Sequence, residues 1–199
     1  MHVWGDLVTE DRTAIWASLE EMQRGLCAYC EGSLQQLGRH IEHLCPRSRV
    51  PERTFDWSNL FGSCDRSDCC GHFKDRRRAP QYDCRDLIDP TQEDPDHFFV
   101  IRDSGRIELK RDLAAEAARR ADLTIRVFNL NLDGQRGGRS LRAERARVLR
   151  FYLALDPGVL EAIVEFSPSE RLAYVNAEIE AANEMPFGSI LRHFFRQAA

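Results

Sequence analysis

A chain of 199 residues with 43% hydrophobic and 30% charged side chains has an ordinary globular composition, enough for one good-sized domain or a small site-bearing module with a helical companion. Its formal net charge of −4 excludes a global attraction to nucleic acid, so any affinity for phosphates must come from local patches. No apolar run approaches a membrane span, and the start Met1-His2-Val3-Trp4-Gly5-Asp6 is neither basic nor followed by an apolar stretch, so the expectation is a cytoplasmic protein with no membrane partner.

Ile15, Leu19, Met22 and Leu26 recur at three- and four-residue spacing and predict an amphipathic helix over about 9–24, capped by Thr9 or Asp11 and ended by Gly25. Trp4 and Trp16 read most simply as core residues. Pro46 and Pro51 exclude a long helix in the middle of the chain's first half; a strand is expected near 39–44 and a second extended segment around 54–60. A short helix over 72–78 is stopped near Pro80. Phe98–Ile101 and Ile107–Leu109, joined by Asp103-Ser104-Gly105, read as a hairpin. The remainder is helical: about 112–129, then 141–155 after a loop from Asp133-Gly134 to Gly137-Gly138, then segments started by Pro157 and Pro168, and a short apolar helix over 187–195.

All seven cysteines fall between Cys27 and Cys84. In a reducing compartment such clustering points to metal before disulfides. Cys27 and Cys30, two residues apart, form one half of a tetrahedral zinc site, and Cys64 with Cys69 or Cys70 the other. Cys45 and Cys84 fit no spacing and are expected to be small core residues. Between the cysteine pairs lies a reactive set. Phosphodiester hydrolysis needs a base for water, a hard cation for the phosphorane and leaving oxygen, and a cationic side chain for the phosphate. His43, largely neutral at cellular pH, suits the base. Glu42 offers an oxygen to Mg2+ or Mn2+, His72 can complete that cation site, and Asn59 can accept a hydrogen bond from the other ring nitrogen of His43. Lys74 is the phosphate contact. His40, two residues before Glu42 on the same strand face, is expected to be structural or to support Glu42.

Of the 28 basic residues all but Lys74 and Lys110 are arginine. Arg76, Arg77 and Arg78, beside the proposed active-site helix, are the nucleic-acid contacts by proximity. The later bunch between Arg136 and Arg150 reads either as solvated helix faces or as part of a partner interface.

His43, Asn59 and His72, with Glu42 before the first histidine and cysteine pairs outside them, resemble the HNH endonuclease motif and its ββα-metal fold. Longer strings, Cys27-Ala-Tyr-Cys-Glu31, His40-Ile-Glu-His-Leu-Cys-Pro46, Phe55-Asp-Trp-Ser-Asn-Leu60, Cys70-Gly-His-Phe-Lys-Asp75 and Leu87-Ile-Asp-Pro-Thr-Gln-Glu-Asp-Pro95, are similar to the HNH nuclease subunits of the Septu and retron-associated anti-phage systems. The resemblance implies an α+β protein: an N-terminal helix and zinc-braced HNH core over 1–82, then a small hairpin and helical, partner-binding region over 83–199. It also implies DNA cleavage and an ABC-type, SMC-like ATPase partner. One departure stands out: Gly71 intervenes between Cys70 and His72, where the family usually places the helix histidine or asparagine directly after the cysteine. Lysine four residues after Cys70 favours Cys70 over Cys69 as zinc ligand. Two other readings stay open, a zinc-ribbon module that binds without cutting, and an HNH ribonuclease acting on tRNA, since no reader of the 2′-hydroxyl is recognisable.

Overall fold

A computed structural model describes residues 4–77, 79–134, 140–155 and 157–198. Arg78, Arg136 and most of the loop expected between Asp133 and Gly138 lie outside the described residues. The protein is α+β, and its contacts divide it into two compact units: residues 1–98 with 111–130, and residues 99–110 with 131–199. That partition differs from a cut at residue 82, because the segment after Cys84 and the helix over 115–127 pack back onto the cysteine-rich region.

The first unit opens with α1, Thr9–Gln23. Neither Thr9 nor Asp11 occupies the cap position; Val8 does, and its N–H donates to the Asp11 carboxylate at 3.1 Å. The helix unwinds through left-handed Arg24 (φ 54°) and Gly25 (φ 71°). Gln23 then ties α1 to strand β2 (Leu60–Cys64): its amide oxygen accepts from Gly62 N at 2.7 Å and its amide nitrogen donates to Gly62 O at 2.9 Å. After the short helix α2 (Leu34–Leu37), β1 (Arg39–His43) pairs antiparallel with β2, His43 opposite Leu60 and Arg39 opposite Cys64. The second strand thus begins where the extended segment was expected to end. Residues 51–59 instead form 3-10 turns, because the Asp56 carboxylate accepts from both the backbone N–H (3.0 Å) and hydroxyl (2.8 Å) of Ser58, a local bond that competes with strand pairing. Helix α3, Cys70–Lys74, comes next and is shorter than the 72–78 expectation at its far end.

The closing helix of this unit, α4, is labelled after the hairpin strands β3 (Phe99–Ile101) and β4 (Ile107–Leu109), and runs Ala115–Val127. Its Arg120 forks onto Glu93 at 2.7 and 2.6 Å and also donates to Leu87 O, and its Thr124 hydroxyl accepts from Ile88 N. Phe128, just beyond it, stacks on Tyr29 (centroids 4.0 Å), and Phe128 O accepts from Cys70 N at 2.9 Å.

In the second unit, β3 and β4 pair antiparallel, with α5 (Leu141–Leu155), α6 (Val159–Glu165), α7 (Pro168–Ala182) and α8 (Ser189–Ala198). Arg145 is buried and donates to Gly105 O in the hairpin turn, so at least this member of the later arginine bunch is neither solvated nor displayed to a partner. Ile190, Leu191 and Phe195 bury the apolar face of α8. No helix among the described residues is long and apolar enough to cross a membrane.

Candidate active site and cysteine centre

Three segments converge on a buried sulfur cluster. The sulfurs of Cys27, Cys30, Cys64 and Cys70 all lie within 4.8 Å of one another. Cys27 and Cys30 sit on a knuckle closed by Cys27 N to Gly32 O at 2.9 Å, Cys64 ends β2, and Cys70 (φ 58°) starts α3. A tetrahedral zinc with bonds of about 2.3 Å sets its sulfurs about 3.8 Å apart, and Cys30 and Cys64 stand at 4.0 Å. Backbone N–H groups of Gly32 and Cys64 point at the sulfurs of Cys30 and Cys27 at 3.4 Å, which favours thiolates. Hydrogen bonds from Cys27 and then Cys30 hold the Cys64 thiol well below its ordinary value, whereas burial pushes Cys70 up. The donor set fits a structural metal ion such as zinc. Cys69 is buried 3.6 Å from the Cys70 sulfur but outside the group of four. Cys45 and Cys84, expected to be separate core residues, are joined in a disulfide across 39 residues. Sequence spacing carries no signal for a pair so far apart.

His43 ends β1 and is only 7% exposed. Its Nε2 lies 3.0 Å from the carbonyl of Thr54, an atom that can only accept, so Nε2 carries the proton and Nδ1 is the basic nitrogen. Burial lowers its pKa, an effect that the hydrogen bond to Thr54 only partly offsets. The ring of Trp4 meets His43 edge-on at 4.5 Å and tilts against Phe55 at 5.9 Å; Trp4 is thus a wall of this site rather than a core residue. Among the described residues no hydrogen bond joins Asn59 to His43. Fully buried, Asn59 accepts from Cys45 N (2.7 Å) and donates to Cys45 O (3.1 Å) and Arg53 O (2.9 Å). It braces the loop whose next carbonyl, Thr54 O, orients the histidine.

Glu42 faces away from His43 along the strand alternation and is 5% exposed. Burial alone would raise its carboxyl, but His40 and Lys74 outweigh that and keep it ionised. Lys74, 1% exposed, sits 2.7 Å from Glu42 and 2.6 Å from Asp75, so it is an internal counter-ion and not a free phosphate contact. Gly71 makes room for this packing: a Cβ there would fall 2.5 Å from Glu42 Oε2.

The candidate cation group is His40, Asp65 and His72, whose ligand atoms lie within 4.8 Å of one another; Glu42 is not a member. His40 Nδ1 lies 3.0 Å from Asp65 and its Nε2 3.3 Å from Glu42, so a proton on Nε2 held by Glu42 leaves Nδ1 as the ligand atom beside Asp65. Against the lowering effect of burial, these two carboxylates raise the His40 pKa. His72 stacks on His40 (centroids 3.9 Å) with Nε2 3.6 Å from Asp65. His72 therefore stands where a cation site was expected, with His40 and Asp65 in place of Glu42. Asp65 went unrecognised because it belongs to no motif string; its position directly after Cys64 was the available signal. Two imidazoles and one carboxylate suit a manganese-type ion better than the all-oxygen shell that magnesium prefers. A cleft of about 690 Å³ opens onto His40, His43 and His72, with Arg47 and Arg49 on its wall; the exposed Arg76 and Arg77 do not line it.

No protein-family model matches the chain. It is 26% identical over 157 residues to the Septu protein PtuB of Bacillus mycoides (strain KBAB4), an alignment covering 66% of this chain and 50% of that protein. It is 29% identical over 101 residues to the Septu protein PtuB of Bacillus thuringiensis, covering 50% and 35% respectively. The chain spans half or less of the length of these curated relatives.

Proposed function

We propose that this protein is a metal-dependent HNH-type endonuclease that hydrolyses phosphodiester bonds in DNA, the effector of a Septu-type anti-phage defence complex with an ABC-type, SMC-like ATPase. The observation that carries the chemistry is His43: a largely buried imidazole whose Nε2–H is committed to the Thr54 carbonyl, leaving Nδ1 to accept a proton at the edge of a cleft. Similarity to the two PtuB proteins supports the defence role and the expectation of a partner. The order β1, β2, α3 around a four-cysteine centre supports the ββα-metal reading.

In this mechanism His43 Nδ1 takes the proton of the attacking water, and its lowered pKa keeps it unprotonated near neutrality. Asn59 and the Thr54 carbonyl are positioning groups that hold the tautomer and ring plane. His40, Asp65 and His72 would hold the catalytic divalent ion, which when bound supplies positive charge to the phosphorane and the departing oxygen. Glu42, fixed by Lys74, holds His40 from behind. The cysteine centre, as structural zinc, locks α3 to the knuckle and β2.

The test is plasmid cleavage with manganese or magnesium, by wild type and His43→Ala, each alone and, if an ATPase is encoded beside it, with that ATPase. The expected result is nicking by the wild type and a loss of at least about 100-fold in the variant, at unchanged zinc content and melting temperature. Equal cutting by both proteins refutes the assignment of His43. If neither cuts DNA under any condition but labelled tRNA is cut, the substrate is RNA.

A further inference from the structure

The turn after the catalytic strand carries a feature that the roles above do not use. Arg47, Ser48 and Arg49 are exposed, and neither arginine has a carboxylate within ion-pair distance among the described residues. That contrasts with their neighbours, Arg53 paired to Asp56 and Arg85 paired to Asp83. The turn is held rigidly: Arg49 N and Val50 N both donate to Pro46 O, and Cys45 at its base is gripped by Asn59 and by the disulfide to Cys84. Arg47 lies over the Trp4 ring (5.5 Å) beside His43, and its charge is one of those that lower the His43 pKa. Arg49 covers the ring of Tyr82 at 4.7 Å and donates to Tyr82 O at 2.9 Å.

Pro46 and Arg49 form a shared wall. On one side is the cleft of His43; on the other is a second cavity of about 560 Å³ whose lining includes Arg53, Tyr82 and Arg85 together with the carboxylates Glu52 and Asp83, the latter paired to Arg85. In the cleft the carboxylates Glu42 and Asp75 lie against Lys74, and Arg47 and Arg49, the latter also near Asp83, put positive charge on the wall of a chain that is negative overall. Cavities of this size, joined by a cationic wall, match a polynucleotide strand passing from one to the next, with a phosphate at the wall and an unpaired nucleotide beyond it.

Resting on the nuclease reading, we infer that Arg47 and Arg49 bind the backbone phosphates flanking the cut, and that the adjoining nucleotide enters the second cavity beside Tyr82, so that the substrate is unpaired there. Arg76 and Arg77 are not part of this path.

Binding of a fluorescent 20-nucleotide single strand, across a salt series without divalent metal, tests it. The expected result for Arg47→Ala/Arg49→Ala is at least tenfold weaker binding, with the slope of log K against log salt reduced by about 0.7 for each phosphate no longer neutralised. Arg76→Ala/Arg77→Ala keeps the wild-type slope, and Tyr82→Leu loses about tenfold in affinity at unchanged slope. An unchanged slope in the Arg47/Arg49 variant, while the wild type binds and cuts, overturns this inference and leaves the nuclease standing. Wild type that neither binds nor cuts any nucleic acid overturns the nuclease reading itself. Tighter binding of a matched duplex than of the single strand overturns the unpaired nucleotide. The arginines are exposed, so their variants fold; circular dichroism and melting temperature verify this.

Discussion

Glu42 and His43 adjoin in sequence, and burial acts on both, yet their charges are set in opposite ways. Burial disfavours the imidazolium of His43, whose only described side-chain hydrogen bond goes to a carbonyl, so the neutral base results. Glu42 keeps its charge because Lys74 and His40 are built in beside it. A second carboxylate obeys the same rule in a place free of chemistry. Arg120 holds the Glu93 carboxyl below its ordinary pKa. A depressed folded-state pKa contributes stability that is fully present above the unfolded value near 4.5 and lost as pH falls through the lower folded value. Glu93→Gln should therefore cost about 1 kcal/mol at pH 7, and the gap from wild type should close on acidification below about pH 4.5, read by urea denaturation at several pH values. Individual residues were legible in sequence only when a motif named them. His43 and the four cysteines belonged to one; Asp65, Arg47 and Arg49 did not. Asn59 was named for its motif position but bonds to backbone, the usual habit of a short amide, and only the fold shows which loop it holds.

At the scale of elements, periodicity located α1, β1, the hairpin and the helices from α4 onward, since each rests on its own apolar pattern. It misplaced β2, whose five residues are all buried and so lack the alternation that marks a half-exposed strand. What positions β2 is the amide of Gln23, an exchange of two hydrogen bonds with the backbone of Gly62 that no pattern announces. Gln23→Ala leaves the Gly62 N–H without that partner and should destabilise by about 2 kcal/mol, lowering the melting temperature by several degrees. Gln23→Glu, which keeps an acceptor but loses the donor, should fall between the two in thermal melts.

The whole chain holds two compact units with different sources of stability. The first has little sheet and short helices around its site, and three segments meet at the cysteine centre; the second, among the described residues, rests on a hairpin and four helices with an apolar interior. Stripping metal with a strong chelator should thus act on one unit alone. Amides over 27–34 and 60–74 should lose hydrogen-exchange protection, whereas those over 141–155 should keep theirs; Cys64→Ser should give the same map without chelator. Uniform loss across both units would contradict a centre local to the first.

The absent side chain at Gly71 ties two positions into one. The Glu42 side chain crowds position 71 from its Cγ outward: a Cβ there would meet Cγ at 2.9 Å, Cδ at 2.7 Å and Oε2 at 2.5 Å, so an aspartate, which keeps a carbon at the Cγ place, would crowd it as well. Only a bare backbone at 71 lets the first turn of α3 close over the carboxylate that Lys74 holds, and Gly71→Ala should push that carboxylate off its lysine whichever acid stands at 42.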